Sequence, residues 1–273
     1  MIELFQYRYF VHGVLAAVLV SISCGFIGTY IVSRRIVFIT GGISHAAFGG
    51  VGIAYFFGLN PMAGAAFFAV FSAVILESMG AHMRVRRDSL IGMIWSFGMA
   101  LGVLFVFLTP GYAANLMTFL FGDILTVSRS DLGLMAGLAG LVVSVFWWRF
   151  RRILYLAFDA EFARTRNVPV SGMQSLMMVL TALTVVVNIR VVGIVLVLAL
   201  MTVPPATANL LAKDFRSMIP LAILFSLMAT LGGLAASHIL NVPSGATIVF
   251  TSLLVFFLVR ITAALFLKSR RLP

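Results

Sequence analysis

Four histidines and a single cysteine are the chain's imidazole and thiol groups able to ligate a metal. Of these, His45 has the most unusual setting. It stands in the middle of FITGGISHAAFGGVGIAYFFG, residues 38–58, a stretch apolar enough to cross a bilayer. Helical spacing puts Gly41, His45 and Gly49 on one face at i, i+4, with Gly52 three residues further on. A neutral imidazole can hold zinc, nickel, iron or manganese and does not by itself choose among them. Burying an ionisable group in hydrocarbon costs about 3 kcal/mol on insertion scales, which makes such a group a candidate functional site. The same face also reads as a helix-packing seam in which glycines let backbones approach. The residues alone leave both readings open.

The other candidates are sparser. Asp123 lies in the segment NLMTFLFGDILT, 115–126, which is apolar but too short for a full span and reads as a re-entrant or interfacial helix. There its carboxylate can attract a cation near the outer mouth, or it can cap the backbone after Gly122. Cys24 falls inside the first apolar segment and reads as a buried structural thiol. His12, His45, His82 and His238 are scattered over different segments, so no preassembled metalloenzyme centre is expected. The two lysines, Lys213 and Lys268, follow Ala212 and Leu267, whereas a phosphate-binding P-loop needs a lysine after glycine. No H-E-x-x-H, G-x-S-x-G or C-x-x-C occurs.

The elements that must carry these residues are set by composition. With 62% hydrophobic and 10% charged residues, the chain is an all-α polytopic membrane bundle. Apolar stretches predict nine spans, near 10–32, 37–58, 62–80, 89–108, 131–148, 172–189, 191–211, 217–239 and 245–267. A single broken helix around Asn188, Ile189 and Arg190 reduces the count to eight. These spans leave no room for a soluble domain, so residues 1–273 form one transmembrane domain. The net charge of +11 is expected to meet anionic lipid headgroups rather than nucleic acid. Alternate loops on one side collect 15 of the 19 lysines and arginines, while Arg8, Arg129 and Arg190 fall on the other and Arg260 stays in the last span. That asymmetry predicts an outward amino terminus and a cytoplasmic carboxyl terminus. The first apolar segment is too long for a signal-peptide core, and no cleaved peptide is expected.

Two further segments stand out. The inner loop LAFDAEFARTRNVPVSGMQSL, 156–176, predicts a short helix capped by Asp159, with Glu161 complementing its dipole and Pro169 keeping Val168 out of helix. Phe158 and Phe162 share its apolar side, with Arg164 and Arg166 on the charged side. It reads as a knob for a partner's groove or as a helix lying on headgroups. In the seventh span, Pro204 and Pro205 deprive the carbonyls of Leu200 and Met201 of their usual donors, which predicts a kink or hinge there. Thr202 and Thr207 are at hand to compensate.

GGISHA at 41–46, FLFGDILTVS at 119–128, FDAEFAR at 158–164, VVGIVLVLALMTVPPATA at 191–208 and VPSGATIV at 242–249 together resemble the zinc/manganese-type metal-ion ABC transporter permeases. The resemblance runs over almost the whole chain. It implies an ABC permease of the metal-ion or cobalamin-like type in the bacterial inner membrane. It also implies a homodimer of permeases, two cytoplasmic ATPase subunits and an extracytoplasmic metal-binding protein. A divalent metal is then the transported substrate, no cofactor is permanently bound, and catalysis of ATP hydrolysis resides in the partner. The resemblance makes Phe158, Asp159, Glu161, Phe162, Ala163 and Arg164 the ATPase-coupling segment. It makes the His45 helix, with Gly41, Gly49 and Gly52, a wall of the path, and Pro204–Pro205 a hinge beside it.

One departure bears on substrate. The family pattern Gly-Asp-x-x-(Ser/Ala)-His places a carboxylate one turn before the histidine, where this chain has Gly41. The implied metal site is then His45 with Ser44, Asp123 and backbone carbonyls. An ABC permease for a metal chelate or other small nutrient fits the same features. An ion-coupled secondary transporter fits less well, because intramembrane carboxylates are nearly absent, Glu77 being the one candidate.

Overall fold

The computed structural model describes residues 8–82, 86–110, 122 and 124–269. Within them run nine α-helices and no strand. They are α1 (Arg8–Ser33), α2 (Phe38–Phe56), α3 (Pro61–His82), α4 (Arg87–Leu108), α5 (Arg129–Phe158), α6 (Ala160–Thr165), α7 (Val170–Leu211), α8 (Phe215–Leu240) and α9 (Ser244–Ser269), with a 3-10 turn at Ile124–Thr126 before α5. Seven of these are long and apolar enough to cross a membrane. Helix α2 is not among the seven, because His45, Ser44 and its glycines dilute its apolar residues. Its 19 residues nevertheless reach about 28 Å at 1.5 Å per residue, close to a hydrocarbon core. The 42 residues of α7 amount to about 63 Å, two span lengths. The chain is thus a helical multi-pass membrane protein of eight to nine spans.

Helix α7 divides at Gly193, the only residue in it with non-helical φ/ψ (φ 78°, ψ 165°). Only glycine enters that region without strain. The break therefore lies a few residues beyond the Asn188–Arg190 boundary expected from sequence. Asn188 stays helical, its side-chain amide donating to the carbonyl of Thr184 at 2.8 Å. The φ/ψ angles remain helical through Pro204 and Pro205, and the one non-helical residue within α7 is Gly193. The hydroxyls of Thr202 and Thr207 donate to Leu198 and Val203 in the turns around the prolines.

The helices group into two compact units. One holds α1, the 3-10 turn, α5 up to Ser144, α7 from Val195, and α8 and α9. Here α1 and α9 each pack on α8. Buried hydroxyls tie α1 to α8, with Ser226 Oγ donating to Ser21 Oγ at 3.0 Å and Thr230 Oγ1 3.4 Å from the same oxygen. The carbonyl of Met201, freed by Pro205, is covered by α1 at Gly28, where a Cβ would stand 2.6 Å from that oxygen. His12 Nδ1 lies 3.0 Å from the carbonyl oxygen of Val127, anchoring the 3-10 turn to α1.

The start of α8 is held by a capping box. Asp214 accepts from the Ser217 backbone N–H at 2.7 Å and from its hydroxyl at 2.7 Å, while the Asp214 N–H donates back to Ser217 Oγ. The Ser217 hydroxyl first, then its N–H, with Arg216 nearby, hold the exposed Asp214 carboxyl below its ordinary value of 3.8. A folded-state pKa below the unfolded one means the cap acts fully above the unfolded value and is lost as pH falls through the folded one. Hydrogen exchange at residues 215–218, relative to the intrinsic rate at each pH, is therefore expected to speed up on acidification below pH 3.8. Asp214→Ala should show that faster exchange already at neutral pH and lose the pH dependence.

The second unit holds α2, α3, α4, α5 from Val145, α6 and α7 up to Ile194. Helix α2 is its centre, packed on α4 and on α3. Among its 19 residues, 14 are buried.

Candidate functional site

The α2–α4 contact is a seam of facing glycines. Gly49 lies against the backbone of Gly98 and Gly52 against that of Gly102, where added Cβ atoms would stand 2.8 Å and 2.6 Å from the carbonyl oxygens. This face of α2 is thus closed by α4, and Gly49 and Gly52 do not border an open groove in this structure. Gly41 is buried at the start of the same helix.

His45 sits in this contact, half-buried, over a site that α4 completes. Its ring stacks on the indole of Trp95, centroids 4.1 Å apart and planes 10° from parallel. Its Nδ1 stands 3.4 Å from Met99 Sδ, a distance at which an Nδ1–H donates to a thioether. Trp95 and Met99, four residues apart, occupy one face of α4. Neither was singled out from sequence. The available signal was the matching four-residue spacing of Gly98 and Gly102, which marks that side of α4 as a close-packing face.

Ser44, grouped with His45 on sequence, turns elsewhere. It is buried, and its hydroxyl donates to the carbonyl of Thr40 at 2.7 Å on its own helix. Asp123 lies outside the described residues. Among the described residues no cluster of three or more His, Cys, Asp or Glu is present.

The short helix expected in the inner loop is α6. Asp159 caps it, accepting from the N–H groups of Glu161 and Phe162 at 2.8 Å and 3.2 Å. Its far end closes with Asn167 in the left-handed region (φ 55°) and the Val168 N–H donating to the Ala163 carbonyl at 3.1 Å. Ala163 is fully buried and anchors the helix, whereas Phe158, Asp159, Glu161, Phe162 and Arg164 are exposed. The Phe162 ring is braced by the Tyr155 edge, with centroids 5.4 Å apart, and by the Arg166 guanidinium 5.3 Å above it. The result is a capped, braced helix that leaves two phenylalanines exposed.

With that geometry in place, comparison with known proteins is decisive, because a sequence profile of the ABC 3 transport family matches residues 6–263. The chain belongs to the ABC 3 transport family. An uncharacterized membrane protein of Synechocystis sp. is 38% identical over 258 residues, covering 94% of this chain and 92% of that protein. The manganese transport system membrane protein MntC of Halalkalibacterium halodurans is 35% identical over 256 residues, covering 94% and 88%. Among solved structures, PsaBC from Streptococcus pneumoniae in complex with Fab matches with a TM-score of 0.84 at 30% identity, covering 94% of this chain and 92% of that one. As an ABC 3 permease, the chain is a membrane subunit of an ABC transporter.

Proposed function

We propose that this ABC 3 permease carries a divalent transition metal, zinc or manganese, into the bacterial cytoplasm. The whole chain acts as one permease domain that pairs with a second copy and is powered by two cytoplasmic ATPase subunits. It takes its substrate from an extracytoplasmic metal-binding protein. Relatives named for manganese transport support the substrate class. The lysine and arginine asymmetry supports a cytoplasmic carboxyl terminus and, with it, a position of α6 on the ATPase side. Helix α6 is the coupling element, presenting Phe158, Glu161, Phe162 and Arg164 on a platform fixed by Asp159 and Ala163. Metal passes the α2 wall at His45, and Asp123, 78 positions further along the chain, is a second contact near the outer mouth. Gly41 and the Pro204–Pro205 turn border the path, and Gly49 and Gly52 act by keeping α2 tight on α4.

The observation that carries the metal reading is His45, an imidazole placed in a membrane span and oriented by the stacked Trp95. The test is ATP-driven uptake of zinc, manganese, iron and nickel by proteoliposomes holding the permease, its ATPase and its binding protein. Uptake of one dication, reduced about tenfold or more by His45→Ala in an intact complex, is the expected outcome. Normal uptake by His45→Ala across metal concentrations removes the metal-contact role. Gly41, in place of a carboxylate, favours one second reading, uptake of a metal chelate. In that case the same vesicles accumulate the chelate and no bare dication.

A further inference from the structure

The His45 site pairs two donors of particular character. Nδ1 of His45 and Sδ of Met99 are 3.4 Å apart, and both side chains are half-buried. Trp95 covers a face of the imidazole and leaves its ring edge open; in the tautomer protonated at Nε2, Nδ1 carries the single in-plane lone pair and can bind a metal in place of the direct thioether contact. Bonds of about 2.0 Å to nitrogen and about 2.3 Å to sulfur, with the donors 3.4 Å apart, subtend roughly 100° at a shared ion, near the tetrahedral angle. That separation suits one ion held by both atoms.

We propose that Met99 is a ligand of the cation that His45 receives, and that this nitrogen–thioether pair tunes the site to soft ions. The order is monovalent copper or silver first, then zinc, with manganese last. The inference rests on the reading of His45 as a metal contact and adds to it the donor that sets selectivity. Thioethers favour monovalent copper and, with imidazole, zinc, whereas manganese is held by carboxylate, carbonyl and water oxygens. Hard donors are scarce beside His45. Position 41 is glycine, and the nearest hydroxyl in sequence, on Ser44, is engaged with the Thr40 carbonyl. A manganese ion at this point keeps its own water, while a soft monovalent ion is gripped by both donors and obstructs the path.

The test measures silver(I) binding to the purified full-length chain in lipid nanodiscs, silver being a redox-inert match for monovalent copper. In parallel, zinc and manganese uptake by the assembled transporter is measured. Met99→Leu is expected to weaken silver binding about 10- to 100-fold and to lower the zinc-over-manganese preference about tenfold. Met99→Gln, which keeps the side-chain length but presents a hard amide, should lose silver affinity equally and gain relative manganese uptake. Met93→Leu, at an exposed position of the same helix, should change neither. If Met99→Leu or, should that variant not fold, Met99→Gln binds silver as the wild type does, Met99 is not a ligand and the inference is overturned. Failure of the metal-permease reading is seen separately, as absence of ATP-driven uptake of every dication by the wild-type complex. The silver titration decides the Met99 role in either case.

Discussion

Gly50→Val is expected to abolish recovery of folded protein, or to leave a species that aggregates in mild detergent. Gly50 of α2 and Gly64 of α3 face each other so closely that a Cβ on either meets the other's carbonyl oxygen. Next in line are Phe68 Cβ, 2.6 Å from the Gly50 position, and Ala54 Cβ, 2.5 Å from the Gly64 position. Because the first obstacles are backbone atoms, no rotamer change relieves the clash, and α2 and α3 have to part. In lipid, helices associate through close packing rather than through hydrophobic exclusion, so separating them forfeits the contact itself. Overpacking in cores costs about 1–3 kcal/mol, and a clash with two backbones belongs at or beyond the top of that range. Gly92→Ala, where a Cβ meets nothing within 4 Å, is the control and should be neutral or slightly stabilising. Size-exclusion profiles and thermal unfolding of the three proteins check this, and a monodisperse Gly50→Val with wild-type stability would falsify the seam.

Phe162→Ala should break transport while leaving the permease folded. The ring is 42% exposed yet held between the Tyr155 edge and the Arg166 guanidinium, so on the docking role proposed for α6 it is an anchor already held in place, and its truncation removes little from the permease interior. Buried aromatic anchors at interfaces commonly account for about 2 kcal/mol or more, or roughly a 30-fold loss of affinity on truncation. The expected result is weaker ATPase association at dilute concentration, together with fewer ions moved per ATP when the complex is forced together. Asp159→Ala should produce the same uncoupling by a different route, since loss of the cap loosens the first turn that presents Glu161 and Phe162. Unchanged transport stoichiometry and affinity in Phe162→Ala would place the docking surface elsewhere on the chain.

Much of this arrangement was legible in the sequence, for identifiable reasons. Span positions follow from runs of apolar residues, and the short inner helix follows from Asp159 and Pro169, which act on their immediate neighbours. Local signals of this kind survive in a linear reading. The division of α7 was misplaced because Arg190 and Asn188 look like boundary residues, whereas the deciding one, Gly193, is an unremarkable glycine in an apolar run until its φ is known. The prolines had the opposite character. They are conspicuous in sequence, yet the backbone angles stay helical through them, and the bare Cα of Gly28 lies against the Met201 carbonyl that Pro205 leaves without its donor. Trp95 and Met99 were missed because their significance lies in which helix faces α2, and that pairing passes over the intervening α3. Ser44 carried the right chemistry, but its own helix backbone took up its hydroxyl.

The Ser21–Ser226 hydrogen bond joins residues 205 positions apart, and that separation has a consequence for how the protein is made. Helix α1 leaves the ribosome first, but its permanent neighbour α8 is translated only after α2 to α7. Throughout that interval the newborn segment must reside in the bilayer without the hydroxyl partners it will finally have. Its serine and threonine side chains are suited to the wait, since Ser23 and Thr29 donate to carbonyls of their own helix at Leu19 and Gly25. The N-terminal helix is therefore assembled late in biogenesis, and a truncation that removes α8 strands a segment completed long before.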